Sequence, residues 1–350
     1  CCHELKDFKS VGSYNWSIKS SREKPIVIVP GLSNLLKSIA GRPRLQRSER
    51  EQMVDENGHQ YPEYPMEPLF RAVQLCSKDF KFDEIDFATD RNNLRKLFDF
   101  VDGKSDQRFR IDFQKVGNMI VFIRNEERIT ALFADYGKDF EKKCCELFMN
   151  ASSYRRVVSY KLGGLNMLVR FEVDCISIAD PVDSLSYKTK LLKLDERDQV
   201  KNFQGSSLNY IGQGEFNPNE ETVELTTKST FSSDFPKHKW NQLFFSQTGR
   251  LLLGWHKRGQ IERVESLDFN QVSRRSDRTG SNSQLNENTK TALGKLNLLL
   301  KKIKRFAESD DGKSVFSILF DPQDDYLEIF KCTKSFDCLP EQLKSELNKQ

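Results

Sequence analysis

Acidic and apolar residues alternate along two short segments of the chain, Arg170–Cys175 and Val223–Thr226. Because alternate side chains of a β-strand lie on one face, we expect Glu172 and Asp174 to point together, with the apolar residues between them packed behind. A second strand that carries Glu224 would bring a third carboxylate to the same place. The alternation therefore constrains both segments to be half-buried strands of a sheet.

Two interpretations of these carboxylates are open. Carboxylates held close together raise each other's pKa unless hard divalent cations neutralise them, so the pattern predicts a Mg²⁺ or Mn²⁺ site. The same Glu-x-Asp alternation is also typical of any half-exposed strand in an antiparallel sheet. The two segments alone do not decide between a metal site and an ordinary strand.

The composition is that of a globular chain with room for one large or two modest domains, because 37% of its 350 residues are hydrophobic. Apolar runs stay far below the roughly 20 residues that span a bilayer, so we expect no membrane segment. The 55 basic residues nearly balance the 51 acidic ones, which argues against a surface covered by nucleic acid. Local basic clusters at 42–50 and 274–278 suit either solvated loops or contacts with an RNA backbone.

Cysteine and histidine spacing argues against zinc. The eight cysteines form no C-x-x-C pair, and the four histidines are not spaced as metal ligands. Cysteines on apolar faces are usually buried and reduced. We therefore expect a protein of the cytosol or the nucleus.

Periodicity predicts strands and helices in one mixed arrangement. Period-two segments at 108–114 and 118–124 predict a hairpin, 289–307 predicts an amphipathic helix, and 315–320 with 326–330 predicts a further strand pair. This pattern favours an α/β (mixed α+β) fold in which helices flank a mixed sheet. We expect a single domain over 1–350, a surface insertion at 177–221 and a polar loop at 270–288.

Several motifs, taken in chain order, resemble the DXO family of RNA 5′-end decapping and exonuclease enzymes. They are Phe87–Leu94 with Arg91, Tyr136–Glu141 as a Gly-x-x-Phe-Glu motif, Glu172–Cys175 as a Glu-x-Asp motif, Val223–Leu225 as the start of a Glu-x-Lys motif, and Trp240–Gln247 followed by Leu252–Gly254. The resemblance implies a DXO-like domain of two mainly antiparallel or mixed sheets flanked by helices, with a PD-(D/E)XK-type metal site.

The resemblance also implies a role for each site residue. One or two Mg²⁺ or Mn²⁺ ions would be bound by a set of carboxylates and one backbone carbonyl, namely Glu141, Glu172, Asp174, Glu224 and the carbonyl of Leu225. Arg91 would hold the RNA phosphate, and Gln247 would orient water or phosphate by hydrogen bonding.

One position departs from the family pattern, because Thr226 stands where the Glu-x-Lys motif has lysine. A lysine beside the attacking water stabilises negative charge, and threonine supplies no such charge. Lys228 lies two residues further, on the same face as Thr226 if the strand continues, at about 7 Å along it. Lys228 is therefore either a substitute catalytic lysine or an exposed strand-end residue.

The resulting hypothesis is a metal-dependent RNA 5′-end hydrolase that removes incomplete or non-standard caps, including NAD-type caps, with 5′–3′ exonuclease activity as an extension. The alternative is a pseudoenzyme that binds RNA 5′ ends or a partner nuclease without cleaving, because the motif lysine is replaced by Thr226. We expect RNA 5′ ends and a 5′–3′ exonuclease as partners, no DNA specificity, and a nuclear or cytoplasmic location.

Overall fold

The computed structural model of the protein describes residues 4–39, 41–47, 55–126, 135–192, 199–213, 215–232, 234–280, 284–333 and 337–348. Its strands, numbered in chain order, are β1 Leu5–Ser17, β2 Ile26–Val29, β3 Leu35–Leu36, β4 Phe87–Asp90, β5 Phe109–Val116, β6 Met119–Asn125, β7 Cys145–Glu146, β8 Ala151–Leu162, β9 Leu165–Val173, β10 Cys175–Ser177, β11 Lys201–Asn202, β12 Asn209–Gly212, β13 Glu221–Ser229, β14 Arg250–Lys257, β15 Gln260–Asp268, β16 Val315–Phe320 and β17 Glu328–Lys331.

The helices lie between these strands. They are α1 Glu56–Gln60, α2 Glu67–Cys76, α3 Arg91–Val101, α4 Gly137–Cys144, α5 Pro181–Leu192, α6 Lys239–Ser246, α7 Phe269–Arg275, α8 Glu287–Glu308 and α9 Glu341–Leu347.

The strands of the described residues form two sheets. The large sheet has the order β11-β12-β2-β1-β8-β9-β4-β6-β5-β16-β17, and the small sheet has the order β15-β14-β13-β10-β3-β7. Antiparallel pairs such as β8 with β9 coexist with parallel pairs such as β4 with β9 and β13 with β14. The predicted fold class, two mixed sheets flanked by helices, is confirmed.

The long helix α8 supplies the apolar stripe that its sequence predicts. Leu293, Leu296, Leu300 and Ile303 are buried in the main core, which also contains side chains of the large sheet and of α3 and α6. Helix α2 packs against β1 and contributes to a second apolar cluster. The sequence hairpin at 108–124 is β5 with β6, paired from Arg110 to Val116.

The half-buried strand predicted over Arg170–Cys175 is divided in the structure. Strand β9 ends at Val173 and belongs to the large sheet, whereas β10 begins at Cys175 and pairs with β13 in the small sheet. Asp174 is the residue between them. The chain therefore passes from one sheet to the other at a predicted site residue.

The two predicted irregular segments contain regular structure. Within 177–221, helix α5 is followed by β12, which pairs in parallel with β2 in the large sheet. The segment 270–288 contains helix α7 from its second residue onwards and the first two residues of α8, with a polar connector between them. In the basic cluster at 274–278, Arg278 is buried and forms an ion pair with Asp102, so this residue is not part of a solvated loop.

The cysteines of the described residues are reduced, and most of them are buried. Cys1 and Cys2 lie outside the described residues. In the part of the chain that the structure describes, no helix is long and apolar enough to cross a membrane.

Candidate metal and phosphate site

The site lies where the two sheets meet. Asp174 occupies the junction between β9 and β10, and its Oδ2 accepts a hydrogen bond from the backbone N–H of Leu225 at 2.7 Å. Leu225 itself is buried in β13, beside Glu224. This bond ties the junction to the neighbouring strand, so that the two carboxylates predicted from separate segments share one site.

Glu224 is the most enclosed carboxylate of the group, with a side chain 6% exposed. Its Oε1 is 2.8 Å from Nζ of Lys239, and its Oε2 is 3.6 Å from Nη1 of Arg91. Burial alone would raise the pKa of Glu224, but Lys239 and Arg91 lower it below its usual range. Glu224 is therefore held as a carboxylate anion.

Glu141 reaches the site from helix α4. The preceding residue, Phe140, is fully buried beside Val223 and Leu225 and fixes the helix against the small sheet. A Cβ on Gly254 of β14 would lie 2.6 Å from the Phe140 ring, so glycine is needed there for the helix to approach. The predicted Gly-x-x-Phe-Glu segment thus carries its glutamate to the strand that holds Glu224.

The acids of the site affect one another's pKa. Burial and the charges of Glu172 and Glu224 raise the pKa of Glu141 to about 7. Burial and the charges of Glu224 and Glu141 raise the pKa of Asp174 well above its usual range. Burial and neighbouring negative charge both disfavour the ionised acids, and a bound cation would offset both effects.

Glu172 takes a different orientation from the other carboxylates. Its side chain is 51% exposed, and its Oε2 is 3.1 Å from Nη2 of Arg155, its cross-strand partner on β8. The same Nη2 is 3.1 Å from Oε2 of Glu56. Arg155 was not predicted from the sequence, because the pairing of β8 with β9 sets which residue faces Glu172, and the register of a pair is not visible in either strand alone.

Arg91 begins helix α3 directly after strand β4. The preceding Asp90 forms a buried ion pair with Arg170 of β9, with 2.6 Å between Oδ1 and Nε. The guanidinium of Arg91 lies 5.4 Å from the centre of the Phe171 ring, and its Nη1 is 3.3 Å from Oγ of Ser246. The predicted phosphate-binding residue is therefore fixed at the start of a helix and next to Glu224.

Thr226 and Lys228 lie on the same strand face as Glu224, because β13 continues to Ser229. Lys228 is about 13 Å along the strand from Glu224, since each residue advances about 3.3 Å. In the described part of the chain, the ion-pair partner of Glu224 closest in distance is Lys239 of α6, and Lys228 has no ion pair. Lys239 was not among the residues singled out from the sequence.

Gln247 lies at the C-terminal end of α6 with a left-handed backbone, at φ 51°. Its side chain is exposed, and its Nε2 donates to the carbonyl of Phe244 at 2.7 Å. Gln242 lies earlier in the same helix, three residues after Lys239 and four before Ser246, so these three side chains share one face. Lys239 and Ser246 contact Glu224 and Arg91, which places Gln242 on the helix face that borders the site.

The chemistry of the donor set fits a hard divalent cation, because oxygen ligands from carboxylates are those that Mg²⁺ and Mn²⁺ prefer. Within the ranges that the structure describes, however, no three or more His, Cys, Asp and Glu side chains stand in a ready ligand arrangement. Two of the carboxylates are paired with cations of the chain, Glu172 with Arg155 and Glu224 with Lys239.

Residues 3–348 match the model of the family described as Domain of unknown function (DUF8563). The chain belongs to the DUF8563 family. A comparison of this DUF8563 protein with curated proteins finds no match.

Solved structures share the fold of the DUF8563 protein. Rai1 of Scheffersomyces stipitis, in complex with (3′-NADP)+ and calcium ion, is 14% identical over 99% of this chain and 96% of that chain, with a TM-score of 0.65. Rai1 of Candida albicans, in complex with pU5-Mn2+, is 12% identical over 98% and 92%, with a TM-score of 0.61. Dxo1 of K. lactis, in complex with manganese, is 12% identical over 94% and 91%, with a TM-score of 0.58. The predicted DXO-like fold is confirmed.

Proposed function

We propose that this protein is a divalent-cation-dependent hydrolase that acts on the 5′ end of RNA. The observation that carries the proposal is the convergence of Glu141, Asp174 and Glu224 with Arg91 at the junction of the two sheets. A group of buried and half-buried acids beside a fixed guanidinium suits a reaction at a phosphodiester, whose charge needs both cations and hydrogen-bond donors.

The acids would hold the cations. Glu141, Glu172, Asp174 and Glu224 supply carboxylate oxygens, and Leu225 supplies a backbone carbonyl in the adjacent strand. A bound Mg²⁺ or Mn²⁺ would lower the pKa of a coordinated water and take up negative charge on the phosphoryl group. For Glu172 and Glu224 to serve as ligands, their pairing with Arg155 and Lys239 must loosen.

The chain's own residues position the phosphate. Arg91 would bind it through the guanidinium that now faces Glu224 and Phe171. The oxygen of a water then forms a bond to phosphorus while the bond from phosphorus to the leaving oxygen breaks. One proton of the water is lost to solvent, and the leaving oxygen gains one, so that the hydrolysis consumes a single water.

The proposed substrates are RNAs with incomplete or non-standard caps, including NAD-type caps, followed by 5′–3′ degradation of the exposed RNA. Support comes from the solved structures of the same fold, one in complex with pU5-Mn2+ and one with (3′-NADP)+ and calcium ion. A nuclear or cytoplasmic location and a partner 5′–3′ exonuclease belong to the same proposal.

A second function, RNA 5′-end binding without cleavage, is favoured by one specific observation. Thr226 supplies no charge where a lysine is expected, and Glu172 and Glu224 are already neutralised by Arg155 and Lys239. Carboxylates paired with arginine and lysine are weaker metal ligands than free ones. A protein of this kind would bind the RNA phosphate through Arg91 and leave it intact.

In the first experiment, one short RNA is prepared with four different 5′ ends: an NAD cap, an unmethylated cap, a triphosphate and a monophosphate. Each form is incubated with the protein in the presence of Mn²⁺, Mg²⁺ or chelator. We expect cation-dependent release of the cap or of nucleotides. Asp174→Asn removes the charge of the junction carboxylate, and we expect it to lower the rate by on the order of a hundredfold.

The matched control is Asp183→Asn, which makes the same chemical change at an exposed position of α5. It is expected to keep the parent rate. Binding of the RNA without release under every condition would replace the hydrolase by the binding protein, and equal rates for Asp174→Asn and the parent would remove the carboxylates from the mechanism.

A further inference from the structure

Lys239 is a largely buried lysine next to the candidate site. It is the first residue of α6, and its side chain is only 12% exposed. Its Nζ also donates a hydrogen bond to Oε1 of Glu224 at 2.8 Å. The fold gives α6 a separate anchor, because the next residue, Trp240, is fully buried and donates from Nε1 to Oγ of Ser273 at 3.0 Å.

A lysine at this position is electrostatically costly. The amino end of a helix carries partial positive charge, which disfavours a cation in the first turn. Arg91, the other cation beside Glu224, is only 3.6 Å from that carboxylate, and Arg95 acts on it from one turn further along α3. Glu224 therefore has other cations near it, and Lys239 is the one that donates a hydrogen bond to it.

The strand position that could have supplied a positive charge is neutral. Thr226 lies two residues after Glu224 on the same face of β13 and has no charge. Lys228, two residues further, has no ion pair to Glu224 among the described residues. The Nζ of Lys239, on helix α6, instead lies next to the carboxylate of Glu224.

We infer that Lys239 of helix α6 supplies the active-site positive charge that Thr226 of strand β13 does not supply. This inference rests on the proposed hydrolysis. The lysine side chain transfers no proton: its charge stabilises the negative charge that grows on the phosphoryl oxygens while the water-to-phosphorus bond forms and the bond to the leaving oxygen breaks. The charge comes from helix α6 and not from strand β13, and it lies next to Glu224.

The test compares Lys239→Met with the matched variant Lys237→Met, whose lysine is exposed and pairs with Asp277. With monophosphate RNA and Mn²⁺, we expect Lys239→Met to lower kcat by on the order of a hundredfold with little change in KM, because the charge acts on the transition state. Lys237→Met keeps the parent kcat. Lys239→Arg, which keeps the charge, recovers part of the loss.

A relocation experiment separates this role from a structural one. The double variant Thr226→Lys with Lys239→Met returns a lysine to the strand face, and we expect it to regain at least tenfold in kcat over Lys239→Met alone. Denaturant unfolding of Lys239→Met and of the parent in chelator measures how much the Lys239–Glu224 ion pair contributes to stability when no metal ion is bound. A structural lysine would move this stability and would not be rescued by Thr226→Lys.

Different outcomes overturn different claims. If the parent cleaves RNA and Lys239→Met matches it, or if Lys228→Met carries the loss of kcat instead, the inference about Lys239 is wrong and the hydrolase stands. If the parent releases nothing from any of the RNAs, the proposed hydrolysis fails, and Lys239 is then only a structural partner of Glu224.

Discussion

The charge state of each carboxylate in the site depends on the charged side chains next to it. Glu224 is anionic because Lys239 and Arg91 lower its pKa, whereas burial and neighbouring acids raise the pKa of Glu141 to about 7. Glu172 is paired with Arg155. The chemical type of each residue was evident from the chain, but its state depends on the neighbour that the fold assigns to it.

We expect different results from substitutions of Gln242 and Gln247, although both residues lie in the segment 240–247. Gln247 has a left-handed backbone, a conformation that costs a residue with a side chain about 1–2 kcal/mol relative to glycine. We expect Gln247→Gly to keep the parent rate of RNA cleavage and to unfold at equal or slightly higher denaturant concentration. Gln242→Ala, on the helix face of Lys239, is expected to lower the rate by about tenfold or more.

Cleavage rates and denaturant unfolding of both variants check this assignment. A large loss of rate in Gln247→Gly with a normal rate in Gln242→Ala would assign the role of the site glutamine to Gln247, the residue predicted from the sequence.

Strands β4 and β9 and helix α3 form the unit that fixes Arg91. Asp90, the last residue of β4, and Arg170 of β9 are both buried, and their carboxylate and guanidinium are joined by two hydrogen bonds of 2.6 and 2.8 Å. Arg170 also donates to the carbonyl of Pro65 at 2.8 Å. The start of α3, and with it Arg91, is therefore held by a buried ion pair as well as by strand pairing.

Asp90→Asn is expected to destabilise this unit by about 3–5 kcal/mol at neutral pH, because it leaves the guanidinium of Arg170 buried without its counter-charge. Burial alone would raise the pKa of Asp90, but Arg170 lowers it below its usual range. A lowered pKa contributes stability above the unfolded value of about 3.9, and this contribution is lost as the pH falls through the lower folded value.

Denaturant unfolding between neutral pH and about pH 3 tests both claims. The parent should lose stability more steeply than Asp90→Asn below about pH 4, so that the two curves converge in acid. Parallel curves over the whole range would mean that Asp90 does not titrate with folding.

At the scale of the whole molecule, the candidate site lies at the junction of the two sheets and not within either sheet. Asp174 lies between β9 of the large sheet and β10 of the small sheet, Glu224 lies in the small sheet, and Glu141 and Lys239 come from helices α4 and α6. A ligand that binds the acids therefore contacts elements of both sheets. Binding at such a junction should stabilise the folded chain as a unit, because unfolding of either sheet destroys the site.

Mn²⁺ is accordingly expected to raise the free energy of unfolding, by about 2.7 kcal/mol at a free concentration one hundred times Kd. The effect should disappear in chelator and be strongly reduced in Asp174→Asn, while Asp183→Asn behaves as the parent. Denaturant unfolding with and without Mn²⁺ measures it without any RNA. An equal gain in Asp174→Asn and the parent would place the ion elsewhere.

Local patterns were sufficient for several elements. The spacing of Leu293, Leu296, Leu300 and Ile303 gave the apolar face of α8, and alternation gave the hairpin of β5 and β6. These features follow from periodicities of 3.6 and 2 residues, which are properties of short stretches of chain. The division of the predicted strand at Asp174 was missed, because nothing in the alternation marks where a strand leaves one sheet for another.

The sequence alone determined the residue types of the site, its acids and Arg91, and the elements that carry them, because these are local properties. The tertiary structure decided which cation meets which acid. Arg155 reaches Glu172 through strand register, and Lys239 reaches Glu224 from a helix 15 residues further along the chain. Pairings of this kind depend on how separate elements pack, and chain position does not encode them locally.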